Sequence, residues 1–215
     1  MILIIGGGDM AKKGIAPVVS AEILEAEECD VREYRQVEAV IQEMQPETVI
    51  VTAGVSHPHP IAGSDPEDWA DELVTNLLGS YHVAKAAVEN GVKNLIFIAS
   101  VAGMYGKPEH SGYSASKGGV ISLVQSLGME GYNAYAISPG RVDTKMREKD
   151  YPGEDPRTRL EPLEVGTLVQ DILNGDYEPG DNIVIRRIGY ETVPYRVDKG
   201  EPWREYLKVG QPKTL

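Results

Sequence analysis

The amino-acid sequence predicts an α/β fold: a parallel β-sheet, doubly wound, with helices on both faces. Short apolar runs alternate with longer segments of helical period, and the runs are rich in Ile, Val and Leu, which is typical of strands buried on both faces. The 215 residues, 41% of them hydrophobic, suffice for one full core and are few for two. We therefore expect a single domain over residues 1–215.

Gly6 and Pro46 delimit the first predicted strands and helix. Ile2–Ile5 is an apolar run that stops at Gly6, and it predicts the first strand. Residues 31–45 carry apolar side chains at helical spacing, and Pro46 separates this helix from a buried strand over residues 47–52. One β-strand–helix–β-strand unit is thus complete by residue 52.

The pattern repeats through the middle of the chain. Residues 64–67 have the form of a capping box with an early proline, which predicts a helix that continues to Asn90-Gly91. A strand, a helix and another strand are expected at residues 93–100, 111–128 and 132–138, before the turn at Pro139-Gly140. At least four parallel strands therefore precede residue 140. Beyond a polar stretch over residues 145–159, a helix near 163–173 and a strand at 183–188 complete the expected elements.

Composition restricts the partners. With 21 basic and 33 acidic residues the formal charge is -12, which disfavours nucleic acid and anionic lipid surfaces and favours a small-molecule substrate. Cys29 is the only cysteine, so no internal disulfide is possible. The apolar run at the N-terminus is too short to cross a bilayer. We expect a cytoplasmic protein.

The sharpest chemical signal is the pair Tyr113 and Lys117, which lie one helical turn apart on a common face. An ammonium beside a phenol stabilises the phenolate and lowers the pKa of the phenol, so that the tyrosine becomes a usable acid or base. Ser100 lies thirteen residues earlier, at the end of an apolar strand, where open α/β sheets bind ligands. Asn76 lies within the preceding helix among apolar neighbours.

Together these four residues resemble the short-chain dehydrogenase/reductase family, in order and nearly in spacing. The likeness continues in the segments 100–103, 113–117 and 138–144. It implies a Rossmann-like fold and hydride transfer between a nicotinamide and a carbonyl or alcohol carbon. Tyr113 would exchange the proton, Ser100 would bind the substrate oxygen, Lys117 would lower the pKa of Tyr113 and hold the nicotinamide ribose, and Asn76 would position a water.

The same resemblance implies a cofactor site for NAD or NADP. Asp30-Val31 would end a strand, where the Asp30 carboxylate would accept from the adenine amino group, and Thr52-Ala53-Gly54 resembles a loop of the family. The segment 145–175 would cover the substrate, and its polar residues suggest a polar or anionic one. Residues expected at the cofactor are Gly6, Gly7, Gly8, Asp30, Val31, Ala53, Gly54, Tyr113, Lys117, Pro139, Gly140, Val142 and Thr144.

The glycine turn departs from the family pattern. After Gly6, Gly7 and Gly8, the later turn positions fall on Met10 or Ala11 and on Lys12 or Lys13, where a side chain would hinder close helix packing. Asp9 would face a pyrophosphate unfavourably. The interval to Asp30 is also short for the usual extra strand and helix, so the residue that distinguishes the two dinucleotides is compressed or missing, with Glu22 and Glu25 as candidates.

Two alternatives stay open. The segment 30–33 leading to the strand at 47–52 also resembles deoxysugar or sugar-nucleotide reductases and epimerases. A non-catalytic dinucleotide-binding or scaffold protein would suit the altered glycine turn. No metal is expected, because nothing completes a site around His57 and His59. By family resemblance, the helices that carry Asn76 and Tyr113 pair subunits in a homodimer or homotetramer.

Overall fold

The computed structural model describes residues 1–188 and 191–196. These residues form one seven-stranded sheet in the order β2-β1-β3-β4-β5-β6-β7. The first six strands are parallel, and β7 pairs antiparallel with β6. The strands are β1 (Ile2–Ile5), β2 (Glu22–Leu24), β3 (Thr48–Val51), β4 (Asn94–Ile98), β5 (Asn133–Pro139), β6 (Asn182–Ile188) and β7 (Glu191–Arg196).

Six helices connect these strands in the described part of the chain, apart from short 3₁₀ turns. Two of them contain a π-helical stretch and run on without a break: α1 (Met10–Ile15, then Ala16–Val19) and α3 (Pro66–Glu72, Leu73–Leu78, then Gly79–Glu89). The others are α2 (Tyr34–Met44), α4 (Ser111–Met129), α5 (Lys145–Asp150) and α6 (Pro162–Asn174). None of the described helices is long and apolar enough to cross a membrane.

Alternation along each strand sends side chains to two separate cores. Leu3, Val49 and Leu95 pack with α2, α3 and α4 on one face of the sheet. The intervening residues Ile4 and Ile50 pack with α1 and α6 on the other. Because side chains of a strand alternate between faces, a strand that is apolar throughout needs a helix layer on each side. This explains why the continuous apolar runs of the sequence are central strands.

The predicted doubly wound, Rossmann-like fold is confirmed, and five parallel strands precede residue 140. Two strands were not predicted. β2 has three residues and lies at the sheet edge, and β7 pairs antiparallel with β6. The expectation that Asp30-Val31 ends a strand is wrong, since both residues lie in the turn before α2.

Chain order creates a crevice beside β1. The chain leaves β1 to form β2 on one side and then crosses over to form β3 on the other. Ligands of open α/β sheets bind where the direction of winding reverses, outside the carboxyl ends of the strands. The segments that follow β1 and β3 must therefore meet at this point, and they begin with Gly6 and Thr52.

Candidate active site

A cleft of about 1330 Å³ runs along the carboxyl ends of the parallel strands. Its walls come from the segments that follow β1, β3, β4 and β5, and from the region of α5. The predicted residues that line it are Gly6, Gly7, Gly8, Ala53, Gly54, Ser100, Tyr113, Lys117, Pro139, Gly140, Val142 and Thr144. The fold thus gathers at one edge residues that lie far apart in the sequence.

The glycine turn is closed against the end of β3. Gly6 adopts φ +119°, a conformation that favours glycine, and an added Cβ would lie 2.3 Å from the backbone nitrogen of Ala53. The Thr52 hydroxyl donates a 2.8 Å hydrogen bond to the Gly6 carbonyl. At Gly8 an added Cβ would meet no atom within 4 Å, so the backbone there borders the open cleft.

Helix α1 packs closely even though lysines follow the turn. Ala11 is fully buried in the core, so Gly6, Gly8 and Ala11 take the three small positions of the dinucleotide-binding pattern Gly-x-Gly-x-x-Gly/Ala. At Gly14 an added Cβ would lie 2.4 Å from the Pro162 carbonyl oxygen, and one at Gly166 would lie 2.2 Å from the Gly14 oxygen. The expected hindrance from a lysine is therefore wrong, because Lys12 and Lys13 point outward.

Asp9 lines the cleft beside the glycine turn, and two contacts hold its side chain. Its carboxylate accepts a 2.7 Å hydrogen bond from the Lys145 backbone nitrogen and lies 3.1 Å from the Lys13 ammonium. These contacts hold the pKa of Asp9 below its usual value despite the opposing effect of burial, which is the largest single influence. Asp9 therefore ties the start of α1 to the start of α5, 136 residues away in the chain.

The sequence left open which residue distinguishes the two dinucleotides, with Glu22 and Glu25 as candidates. In the structure Glu25 directly follows β2 and lies beside the glycine turn. An added Cβ on Gly7 would lie 2.5 Å from the Glu25 Cγ. Glu25 also forms an ion pair with Lys12. The strand that seemed missing from the short interval is thus present, because α1 and β2 are both short.

Tyr113, Ser100 and Lys117 line the cleft together. Ser100 ends the segment after β4, and its hydroxyl accepts from the Ala102 backbone nitrogen at 3.1 Å and hydrogen-bonds with the Tyr113 side chain. Lys117 is buried, its ammonium lies 5.8 Å from the centroid of the Tyr113 ring, and it donates a 2.8 Å hydrogen bond to the Ile98 carbonyl. The strand end and the first turns of α4 therefore present a hydroxyl, a phenol and an ammonium together.

Burial dominates the ionisation of this group. It raises the pKa of Tyr113 to about 12, and the hydrogen bond with Ser100 only partly offsets this effect. Burial also lowers the pKa of Lys117 to about 8. The net shift of the Tyr113 pKa is upward because burial, which disfavours the charged phenolate, is its largest cause. Tyr113 consequently keeps its proton at neutral pH.

Asn76 clamps the loop after β3. It is fully buried in the π-helical stretch of α3, a feature that is frequent at functional sites. Its Nδ2 donates to the Val55 carbonyl and to the Ser116 hydroxyl, each at 3.0 Å, and its Oδ1 accepts from the Val55 nitrogen at 2.8 Å. These contacts fix the loop after β3 and the first turns of α4 to α3, and the role of Asn76 in positioning a water stays a prediction.

The segment after β5 forms the far wall of the cleft. The Gly140 nitrogen donates to the Ile185 carbonyl at 2.8 Å, which holds the turn against β6. Val142 forms a bridge with Leu160, and the Thr144 hydroxyl caps α5 by accepting from the Arg147 nitrogen at 3.2 Å. These contacts fix the position of the loop relative to the sheet.

Two residues that were predicted to bind the cofactor, Asp30 and Val31, do not line the cleft. Asp30 is engaged by the Arg32 guanidinium at 2.7 Å, and Val31 packs in the core against Gly79. In this region the described residues that line the cleft are Ala26 and Cys29. Asp30 and Val31 lie away from the cleft because β2 is followed by a turn and not by another strand.

Sequence reasoning missed a cluster that overhangs Tyr113. The Tyr151 hydroxyl lies 3.0 Å from His110 Nε2, and the two rings stack at 9° with centroids 5.7 Å apart. The same tyrosine ring lies 3.7 Å from Arg147 Cζ and 4.3 Å from Lys107 Nζ. Within the expected substrate cover, residues 145–158 contribute to the cleft, whereas α6 packs against α1. No local pattern marked His110, which lies 41 residues from Tyr151.

The fold and the cleft define a class: an α/β protein with a dinucleotide-type glycine turn and a Ser, Tyr and Lys set at one edge of its sheet. The sequence profile of the family described as short chain dehydrogenase matches residues 12–155. The chain therefore belongs to the short-chain dehydrogenase family of oxidoreductases.

Individual relatives agree with this membership. A 3-oxoacyl-[acyl-carrier-protein] reductase of Mus musculus is 29% identical over 174 residues, which cover 73% of this chain and 74% of the relative. In other relatives the match spans about half of their length. The solved structure titled ElxO with NADP bound has a TM-score of 0.69 at 19% identity, and covers 85% of this chain and 96% of its own. A 3-oxoacyl-[acyl-carrier protein] reductase from Brucella melitensis with bound NAD has a TM-score of 0.66 at 22% identity, with coverage of 85% and 88%.

Proposed function

We propose that this protein is a nicotinamide-dependent reductase of carbonyl compounds in which Tyr113 donates the proton. The observation that carries the proposal is the meeting of Tyr113, Ser100 and Lys117 in a cleft whose other end is the Gly6–Gly8 turn. A bound nicotinamide would supply or accept the hydride. Membership of the short-chain dehydrogenase family supports this chemistry.

The residues present suit a dinucleotide. The space beside Gly8 lets a pyrophosphate approach the backbone, and the first N–H groups of α1 lack partners within the helix, as at other phosphate sites. Pro139, Gly140 and Thr144 would border the nicotinamide. Lys117 has two further N–H donors beyond its bond to Ile98, and these are suited to ribose hydroxyls.

Glu25 favours NAD over NADP. It directly follows β2 and lies 19 residues after Gly6, close to the spacing of about 20 at which an acidic residue binds the ribose 2′-hydroxyl of NAD. Glu27 and Glu28 add negative charge to the same turn. A 2′-phosphate would meet repulsion from these carboxylates, with Lys12 already paired to Glu25.

The protonation states support the reductive direction. Tyr113, whose pKa is raised to about 12, carries the proton that an alkoxide requires. Ser100 would donate to the same oxygen as negative charge develops on it. Lys117, with a pKa of about 8, is mostly charged at neutral pH and would stabilise the phenolate left by proton transfer.

A homodimer or homotetramer forms part of the proposal. Val74, Leu78 and Tyr81 recur at helical spacing on α3 and are between 37% and 47% exposed. An apolar stripe of this kind suits pairing with a second copy. A cytoplasmic location is also proposed, since a reductase of this type draws on the cellular nicotinamide pool.

Binding followed by turnover tests the proposal. NADH and NADPH are titrated separately into the purified protein, and NADH is expected to bind more tightly. Oxidation of NADH is then measured over a panel of ketones and aldehydes. Tyr113→Phe should lower kcat by about 10²- to 10⁴-fold without changing the affinity for NADH, whereas the partly exposed Tyr132→Phe serves as the matched control. If neither dinucleotide binds, the proposal fails, and tighter binding of NADPH would refute the role of Glu25.

A further inference from the structure

The charge of the cleft opposes the charge of the whole chain. The sequence has 33 acidic and 21 basic residues, whereas the described residues that line the cleft include three acidic and eight basic ones. A concave site with low-dielectric walls focuses the field of such charges and attracts ligands of opposite sign. A dinucleotide pyrophosphate beside the glycine turn accounts for a positive field at Lys12. The region around α5 calls for a separate explanation.

One carboxylate is shared among three guanidinium groups at α5. Glu154 accepts from Arg147 Nε at 2.8 Å, lies 3.2 Å from Arg159 Nε and 3.4 Å from Arg141 Nε. The hydrogen bond with Arg147 holds the pKa of Glu154 below its usual value, so Glu154 remains ionised. Arg159 has Asp143 as a second partner at 2.8 Å. In these contacts three guanidinium groups therefore face two carboxylates, Glu154 and Asp143.

Lys107 adds a cation to the same place. Its ammonium and the Arg147 guanidinium both lie against the Tyr151 ring, at 4.3 Å and 3.7 Å from its centroid. Within the described part of the chain, no carboxylate forms an ion pair with Lys107. Burial, and then repulsion from Arg147, lowers the pKa of Lys107 to about 8, with Glu154, Arg141 and Asp150 as the other charges that face it. Two like charges held together with a shared aromatic wall are suited to an anion between them.

This place adjoins the reacting centre. The His110 ring stacks on Tyr151 and lies 6.2 Å, edge to face, from the Tyr113 ring. The charges of Arg147 and Asp150 both influence the pKa of the Tyr113 hydroxyl, the former downward and the latter upward. A molecule whose carbonyl oxygen reaches Tyr113 would therefore extend towards Lys107 and Arg147.

We infer that the substrate carries an anionic group, a carboxylate or a phosphate, next to its carbonyl, and that Lys107 and Arg147 bind this group above Tyr113. This inference rests on the proposed reductase function. It assigns Lys107 to substrate selection, and it assigns Tyr151 and His110 to holding the two cations in place.

Matched substrate pairs provide the test. With saturating NADH, kcat/KM is measured for acetoacetate and its methyl ester, and for dihydroxyacetone phosphate and dihydroxyacetone. The anionic member of at least one pair is expected to be preferred by about 10- to 100-fold, the worth of a hydrogen bond to a charged group, and the preferred pair tells carboxylate from phosphate. Lys107→Met should reduce that preference by about tenfold. Lys93→Met, which removes an exposed lysine that is paired with Glu47, should leave it unchanged.

The outcomes separate this inference from the proposed function. Turnover without preference for either anion overturns the anion site and leaves the reductase function standing. If Lys107→Met weakens NADH binding by the same factor as substrate binding, the charge serves the cofactor and the inference is wrong. If no carbonyl compound is turned over, the reductase proposal fails. Calorimetric titration with acetoacetate and with inorganic phosphate then tests whether the anion site exists. Saturable binding that Lys107→Met weakens supports it, and absence of binding refutes it.

Discussion

Replacing Asn76 by alanine tests how the active-site loop is held. The side chain is fully buried and makes three hydrogen bonds, two with the Val55 backbone and one with the Ser116 hydroxyl. Each is worth about 1 kcal/mol, so their loss costs about 3 kcal/mol, and the better helix propensity of alanine returns about 0.5 kcal/mol. We expect Asn76→Ala to lower the free energy of unfolding by about 2–3 kcal/mol.

A loss of this size is a large part of the roughly 5–15 kcal/mol by which domains are stable, and it corresponds to a fall in Tm of about 4–12 °C at this chain length. Urea denaturation followed by circular dichroism measures it. Asn174→Ala is the control, because Asn174 is exposed at the end of α6 and its side chain accepts one hydrogen bond, from Gln170. The control should change the free energy of unfolding by less than about 0.5 kcal/mol.

A cost of less than about 1 kcal/mol for Asn76→Ala would contradict a clamp by this side chain, since the Val55 groups would then have found other partners. Activity adds a second readout. Because Val55 follows Gly54 in the cleft wall, loosening of the loop should weaken NADH binding together with stability. An unstable variant that binds NADH as tightly as the natural protein would separate the clamp from the cofactor site.

Two further predictions follow from packing and ionisation. Gly14→Ala gains about 1 kcal/mol in helix propensity but places a Cβ 2.4 Å from the Pro162 oxygen, where overpacking costs about 1–3 kcal/mol. Denaturation should therefore show that Gly14→Ala is less stable than the control Gly63→Ala, where an added Cβ meets nothing within 4 Å. Equal stabilities of the two variants would contradict the close packing. In a pH profile of carbonyl reduction, kcat/KM should fall as the pH rises above about 8, because Lys117 loses its charge there while Tyr113, with a pKa of about 12, keeps its proton. A profile that stays flat to pH 10 would remove the Lys117 charge from catalysis.

Much of the fold could be predicted because each element has a local signature. The breakers Pro46 and Pro139 delimit elements that the structure contains. The helix expected to begin within residues 64–67 is also present, but its cap is Asp65 alone, whose carboxylate accepts from the Glu67 nitrogen at 2.9 Å. β2 was missed because three residues are too few to establish a period, and its pairing with β1 forms it. β7 was missed because its strand character depends on the register with β6.

Some residues of the candidate site could likewise be predicted from the local sequence, and others could not. Tyr113 and Lys117 share a helix face by spacing alone, and Ser100 reaches the sheet edge because it follows β4. Asp30 was misplaced because its role was transferred from a family pattern that has a strand there. Glu25 and Lys107 had no motif of their own, and the signal for Glu25 was only its distance from the glycine turn.

By itself, the sequence determined the alternation of strands and helices and the positions of the central strands, since these depend on periodicity and breakers within a few residues, and it holds the candidate site residues in an order that resembles the family. The tertiary structure alone decided how α1 meets α6 through Gly14 and Gly166, that Asp9 binds Lys145, and that the pKa of Tyr113 is raised rather than lowered. The physical reason is the separation in sequence between the groups that interact. Burial and close approach come from segments that are distant in the chain, and the free energy of a buried charge depends on everything that surrounds it.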